Sequence, residues 1–392
     1  MTYKTALLKR KVEQVAMFPF VFLGKIYGKL NPLKTKTSFF LFFSGADLGG
    51  AVKVNADIAE CIRKKDPLVI FSKKPKNNGY KYLFAGFNLV DLRNRIDNKA
   101  YHFVNFFYRG VLAEWINSSE KPVVFGGECL FFYKVIPHLK REVLRIELCH
   151  LDTWFPYSIG FIDLITHRIF STTKLMETVK EQYGENKIDK AFYKRLSFIE
   201  NKIDIPAYKE IDNEKLEVIF VGRGAPQKRV HLISAIAAKA NEMNLPAHFS
   251  FIGDVENVID VNNLPFCKFY GNVKDENLMK SIYQQSDVLI LTSAYEGLPL
   301  VVMHMMAYGK VIVSTAVNSI PDYVKHMQNG LLITETEDDK IVRQGVELLQ
   351  LLIKDPALKK TFGQKSRQMA IEKFSGEVFC KAYREILLTG KC

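Results

Sequence analysis

Arg223 and Lys228 stand five residues apart in the stretch GRGAPQKRVHL, between a strand pattern at Leu216 to Val221 and a helical pattern carrying Leu232, Ile233, Ile236 and Ala237. A guanidinium offers forked donors and an ammonium a compact point charge, so the two can bracket a diphosphate. Taken alone, the same spacing also suits a solvated basic turn. Gly222 and Gly224 lack the third glycine of a dinucleotide fingerprint, and no Gly-Lys-Ser/Thr phosphate loop is present. That argues against a Rossmann dehydrogenase and a P-loop NTPase. Glu296 follows the branched run Val288 to Leu291, in a polar turn with Ser293 and Gly297. Leu298, Pro299 and Leu300 lead into a helix on which Val301, Val302, Met305 and Met306 repeat, with Gly309 as its C-terminal cap. A carboxylate is favoured at the positive end of such a helix. Unpaired backbone N–H groups at this kind of strand-to-helix edge receive anions, phosphates above all. His304 lies on the same helix, eight residues beyond Glu296.

The first half carries its own candidates. Val143 to Leu148 reads as a strand running into Cys149, His150, Leu151, Asp152, Thr153 and Trp154. His150 therefore falls at the carboxyl end of a strand, the functional edge of an open α/β sheet. A structural hydrogen-bonding role is the alternative for His150, and a turn cap the alternative for Asp152. Gly49 and Gly50 follow the apolar run Phe39 to Phe43 and let the chain turn into a helix bearing Val52, Ile58, Ala59 and Ile62. By itself a Gly-Gly turn is often only a tight connection.

Positioning these groups takes two α/β lobes, and 392 residues suit two domains. With 48% apolar and 25% charged residues, global disorder is excluded. Strand patterns at Phe39 to Phe43, Leu68 to Phe71, Val123 to Phe125, Val143 to Leu148 and Ile169 to Ser171 alternate with helical patterns at Tyr108 to Ile116 and Lys174 to Tyr183. Such alternation predicts a parallel sheet wrapped by helices. Lys74 to Tyr101 reads as a loop with one short helix, and Pro206 to Lys215 as the interdomain linker. In the second half, Phe249 to Gly253, Lys268 to Tyr270 and Val311 to Ser314 continue the strands.

The stretch Leu289 to Leu332, together with Arg223 and Lys228, resembles the nucleotide-sugar site of glycosyltransferase family 4 (glycosyl transferases group 1), retaining enzymes with the GT-B fold. The resemblance is strong from Leu216 to Leu388 and looser from Phe39 to Asp204. It implies two Rossmann-like parallel-sheet lobes facing each other across a cleft, an acceptor lobe at 38–205 and a nucleotide-sugar lobe at 206–375; the basic amphipathic segment at 1–37 lies before the resemblance begins. A last helix at 376–392 would cross back onto the first lobe through Phe379, Tyr383, Ile386 and Leu387.

The resemblance also implies roles. Arg223 and Lys228 would grip the donor phosphates. Glu296 would hydrogen-bond the donor sugar or steady positive charge near its anomeric carbon. The segment Gly297, Leu298, Pro299 and Leu300 would add backbone donors. Asn272 and Val273 would hold the base through backbone groups, and Gly49 and Gly50 would face the donor. His150 would lie close to the donor sugar, with Asp152 contacting sugar hydroxyls or the acceptor. The family pattern is broken at two places. The acidic residue expected after the glycines is missing, since Val52 and Lys53 follow Ala51. His304 replaces a second Glu that accepts ribose hydroxyls; neutral imidazole has one acceptor where a carboxylate accepts twice. Weaker ribose grip follows, unless His304 merely packs among Met303 and Met306.

The function so implied is retaining transfer of a sugar from a nucleotide-diphosphate donor, UDP- or GDP-linked, to a glycan or glycolipid acceptor in cell-surface polysaccharide synthesis. The nucleotide-sugar is a substrate, and neither a cofactor nor a metal is expected. The alternative is a catalytically impaired GT-B scaffold or partner subunit, on account of His304. A formal net charge of +13 favours anionic partners. No stacking or groove-reading motif points to nucleic acid. Lys4, Lys9, Arg10 and Lys11 precede the apolar run Val15 to Leu23, and Lys25, Lys29, Lys34 and Lys36 follow it. The run falls short of the roughly 20 residues of a membrane span. It suits either a helix lying on an anionic membrane or one packed on the first lobe. The expected location is cytoplasmic, peripheral at the inner face of the cell membrane. Six cysteines without a Cys-x-x-Cys pair read as reduced thiols.

Overall fold

Phe39 to Phe43 form β1, every side chain of which is buried. Phe39, Leu41 and Phe43 point into one core cluster, and Phe40 and Phe42 into another on the opposite face. A strand buried on both faces reads as a continuous apolar run because alternate side chains enter different layers. The structure, a computed structural model, describes residues 2–97 and 102–390. It divides into two units, Met1–Asn201 with Phe379–Cys392, and Lys202–Val378.

The first unit runs α1 (Tyr3–Leu30), β1, α2 (Gly50–Cys61), β2 (Leu68–Phe71), β3 (Asn88–Asp91), α3 (Arg93–Ile96), α4 (His102–Asn117), β4 (Val123–Gly127), α5 (Leu130–Val135), β5 (Leu144–Cys149), α6 (Phe155–Ser158), β6 (His167–Phe170), α7 (Thr173–Glu185) and β7 (Leu196–Phe198). Its seven strands are parallel, in the order β3-β2-β1-β4-β5-β6-β7. β3 is a strand inside the segment expected to be a loop with one helix. It is an edge strand whose residues alternate between half-buried and exposed, so it lacks the apolar run of an interior strand.

The second unit runs β8 (Leu216–Val221), α8 (Val230–Glu242), β9 (Ala247–Ile252), β10 (Lys268–Phe269), α9 (Glu276–Gln285), β11 (Val288–Leu291), α10 (Leu300–Ala307), β12 (Val311–Thr315), α11 (Ile320–Tyr323), β13 (Leu331–Ile333), α12 (Asp338–Lys354) and α13 (Pro356–Phe374). Its parallel sheet has the order β10-β9-β8-β11-β12-β13. The unit begins a few residues ahead of the expected boundary at 205. Ile203 is 6% exposed within the second core, and its N–H donates to the Phe374 carbonyl at 2.9 Å.

The final helix, α14 (Gly376–Thr389), joins the first unit from Phe379 onward and buries Phe379, Tyr383, Ile386 and Leu387 in the cluster beneath α2. There Cys380 is disulfide-bonded to Cys61, with Cα atoms 5.0 Å apart. This corrects the expectation of reduced thiols for these two. Their separation of 319 residues hides the pairing from any reading of local spacing. Cys129, Cys149 and Cys267 are free.

The N-terminal segment is one helix of the first unit rather than a separate piece, and it runs unbroken through Pro19. It packs tightly on α4: a Cβ at Gly24 would stand 2.0 Å from the Phe107 carbonyl oxygen, and one at Gly110 2.0 Å from that of Val21. Arg10 forks onto Asp163 at 2.6 and 2.7 Å, and Glu13 pairs with Arg109 and Lys134 at 2.8 and 2.6 Å. The outer face exposes Val15, Phe18, Phe22, Leu23 and Leu30. One side of the helix is thus packed on the lobe, and the other is apolar and exposed. Among the described residues no helix is long and apolar enough to cross a membrane.

Candidate functional site

In the second sheet the strand order reverses between β8 and β11. The loops leaving the carboxyl ends of neighbouring strands there diverge and leave a crevice. Lys228 comes from the loop after β8 and Glu296 from the loop after β11, and their side chains form an ion pair. Ser293 donates its hydroxyl to the same Glu296 oxygen at 2.7 Å, and the Glu296 N–H donates to Asn318 Oδ1 at 3.0 Å. Gln227 holds the Tyr295 carbonyl through Nε2 at 2.7 Å. Arg229 donates from Nε to the Thr292 carbonyl at 2.7 Å. The two loops are therefore laced together before any ligand arrives.

An ammonium has three donors. Glu296 takes one, which leaves Lys228 able to reach phosphate oxygens without abandoning its carboxylate. Arg223, five residues upstream, is exposed, and no side chain among the described residues pairs with it. The backbone between them is shaped by close approach to the loop after β9. The Gly224 N–H donates to Asp254 Oδ1 at 3.1 Å, and a Cβ on Gly224 would stand 2.3 Å from the Asp254 carbonyl oxygen. Gly253 adopts a φ of +125°, where a Cβ would stand 1.9 Å from the Gly222 carbonyl oxygen. These glycines serve chain packing beside the crevice. Asn272 and Val273 follow β10 in the next loop, anchored where the Gly253 N–H donates to the Gly271 carbonyl at 2.8 Å.

Gly297 has open space at its Cβ position, Leu298 is half-buried, Pro299 is the N-cap of α10 and Leu300 is 56% exposed. One turn on, His304 is half-buried and stacks on Tyr283 of α9, ring centroids 5.7 Å apart and planes 18° apart. Tyr283 also meets Tyr308, at 5.8 Å. The imidazole thus stacks on the Tyr283 ring, whereas Met303 and Met306 point into the core.

The first sheet reverses order between β1 and β4. Ser44, after β1, donates its hydroxyl to the carbonyl of Glu128, after β4, at 2.9 Å. The Glu128 carboxylate accepts the His150 N–H at 3.0 Å. Burial pushes the Glu128 carboxyl above its ordinary value, opposed by the His150 and Leu151 N–H groups. His150 is lowered to about 4 by burial, so its ring is neutral at pH 7, and its Nε2 is buried without a hydrogen-bond partner among the described residues. Asp152 starts a short turn and is exposed. Gly49 and Gly50 are exposed at the start of α2, with nothing within 4 Å of a built Cβ.

Lys228 and Glu296 are thus brought together, with Arg223, Gly297 and Pro299 on the same two loops. His150, Asp152, Gly49 and Gly50 belong to the carboxyl edge of the other unit. Sequence reasoning missed Glu128, Arg229 and the bond that Asn318 accepts from the Glu296 N–H. The Gly126-Gly127-Glu128 run after an apolar strand was the available signal for Glu128. Arg229 has a φ of 45° and Asn318 one of 44°, left-handed conformations that a neighbouring-residue pattern does not disclose.

Residues 201–369 match the model of the family Glycosyl transferases group 1. That match covers most of the second unit, and the chain as a whole carries the GT-B fold of two parallel-sheet lobes. It is 27% identical over 215 residues to an uncharacterized glycosyltransferase of Methanocaldococcus jannaschii, covering 52% of this chain and 57% of that one. It is 27% identical over 251 residues to an uncharacterized 41.2 kDa protein in the cps region of Klebsiella pneumoniae, covering 61% of this chain and 65% of the other. The chain therefore spans less than two thirds of the length of these relatives. Among solved structures, HepE of Anabaena in complex with UDP superposes with a TM-score of 0.66 at 17% identity, over 91% of this chain and 100% of that one.

Proposed function

We propose that the chain is a retaining glycosyltransferase that moves a sugar from a UDP- or GDP-linked donor to a glycan or glycolipid acceptor in cell-surface polysaccharide synthesis. The observation that carries this reading is the Lys228–Glu296 pair at the switch point of the family-matched unit, beside exposed Arg223. In the reaction, the bond from the anomeric carbon to the diphosphate oxygen breaks and its electron pair stays on the phosphate. The acceptor oxygen bonds the anomeric carbon on the same face, and the acceptor proton passes to the departing phosphate. Negative charge grows on the leaving group, where Lys228 and Arg223 each supply about 3 kcal/mol once water is excluded. Glu296 holds the ammonium in place and offsets positive charge at the sugar.

The exposed apolar face of α1, with exposed Lys4, Lys9, Lys11 and Lys29, supports peripheral attachment to an anionic membrane. On this reading the attachment is to the inner face of the cell membrane. A second reading, a scaffold subunit without turnover, is favoured by one observation, the stacking of His304 on Tyr283 where a ribose-binding carboxylate is expected. A thermal-shift panel with UDP, GDP, ADP, TDP and CMP separates the two. A ligand at about a hundred times its dissociation constant adds about 2.7 kcal/mol of stability. One diphosphate should raise the melting point of the wild type and not of Lys228→Ala. No rise with any of them would sink the enzyme reading in favour of the scaffold.

A further inference from the structure

A cavity of about 680 Å³ lies in the first unit, against α1, α4, α5 and the carboxyl edge of the sheet. We propose that it binds the acceptor as an anionic amphiphile, the hydrocarbon chain and phosphate of a lipid-linked acceptor; this rests on the glycosyltransferase reading above.

The position comes first. Ser44 and Ser72, which directly follow β1 and β2, line the cavity, as does Trp154 beyond β5. That is the edge where open α/β sheets receive ligands, and Ser44 is bonded to Glu128, next to His150. The chemistry of the wall comes second. Met17, Phe106, Leu130, Phe131 and Trp154 give an apolar surface larger than a free sugar calls for. Four cations, Lys9, Lys73, Arg109 and Lys134, share the lining with only two carboxylates. Glu13 is taken up by Arg109 and Lys134, and Asp97 accepts the Lys74 N–H at 2.7 Å. Lys9 and Lys73 remain exposed and are left for an anion. Continuity comes third. Val12, 60% exposed, belongs both to the cavity lining and to the exposed surface of α1 that carries Val15, Phe18 and Phe22. Val12 therefore joins the face of α1 that would meet a bilayer to the lining of the cavity.

Trp154 is one of two tryptophans, so a Trp115→Phe chain reports on the cavity alone. Farnesyl phosphate, titrated below its micelle concentration, should change Trp154 emission saturably. Farnesol and inorganic phosphate should each bind at least about tenfold more weakly. Leu130→Glu, at a position 47% exposed, and Lys73→Glu should each weaken farnesyl phosphate about tenfold or more. Val15→Asp should leave this binding unchanged while reducing binding to anionic vesicles. An absent response, or one that Leu130→Glu does not alter, overturns the proposal. The nucleotide thermal shift, run on the same variants, is independent of it. A retained shift with no farnesyl phosphate binding rejects the acceptor cavity alone, whereas loss of the shift in the wild type rejects the enzyme reading itself.

Discussion

Lys228 and Glu296 form an ion pair that bridges the loops after β8 and β11, with side chains only 15% and 8% exposed. A carboxylate so placed depends on its ammonium, because removing one partner of a largely desolvated pair strands the other. Lys228→Ala should therefore lose nucleoside-diphosphate binding and also lower the stability of the free protein. Lys228→Ala combined with Glu296→Gln should be the more stable of the two, since no charge is left unpaired. Urea unfolding of both single variants and the double variant checks this through the coupling energy; additive losses would show that the pair carries no mutual stabilisation.

His304 offers a test in which two readouts move in opposite directions. Replacing it by Glu removes the ring stacked on Tyr283, a contact worth about 0.5–1.5 kcal/mol. The melting point should fall accordingly. A carboxylate accepts two hydroxyls where imidazole accepts one, so UDP affinity should rise severalfold in His304→Glu. Isothermal titration beside thermal melts reads both. Weaker UDP binding would mean that the imidazole is itself the better ribose partner in this site.

The second unit was legible in the sequence because each of its signals is local. Apolar runs mark β8, β11 and β12, and glycines and Pro299 mark the turns. Arg223, Lys228 and Glu296 are polar residues at the ends of such runs. What stayed hidden depends on long-range contacts. The Lys228–Glu296 pair spans 68 residues and follows from strand order, which no local pattern states. β3 is short and half-exposed, so it resembles a loop. Glu128 acquires its setting only because β4 lies between β1 and β5, bringing Ser44 and His150 beside it.

The Cys61–Cys380 bond is another such contact, and it has a measurable consequence. A cross-link closing a long loop stabilises by about 2–4 kcal/mol, chiefly by restricting the unfolded chain. Cys61→Ser should still fold, since Phe379, Tyr383, Ile386 and Leu387 remain buried under α2, but at lower stability. A thiol reductant should bring the wild type down to the same level and leave Cys61→Ser unchanged. Because reducing compartments keep thiols free, the redox state of this pair in the native cell also tests the inner-face location. A wild type indifferent to reductant would rule out a stabilising role for the bond.

His150 makes the first unit sensitive to acid. Its folded value is lowered by burial to about 4 from an ordinary 6.5. Between those values the unfolded chain binds a proton that the folded chain refuses. The stability tied to the neutral ring is therefore present above pH 6.5 and drains away as pH falls toward 4, about 3 kcal/mol over the interval. His138 behaves alike, lowered to about 4 by burial and by Arg109 and Lys25, with Glu13 opposing. Glu128 runs the other way: its folded value is raised by burial, so protonation at low pH favours the folded state and offsets part of the loss. Urea melts between pH 7 and pH 4.5 should show wild-type stability falling with acid, and His150→Gln should lose distinctly less, because one of the two refused protons is gone. Equal slopes for both proteins would mean that His150 is solvated, with its Nε2 already satisfied by water.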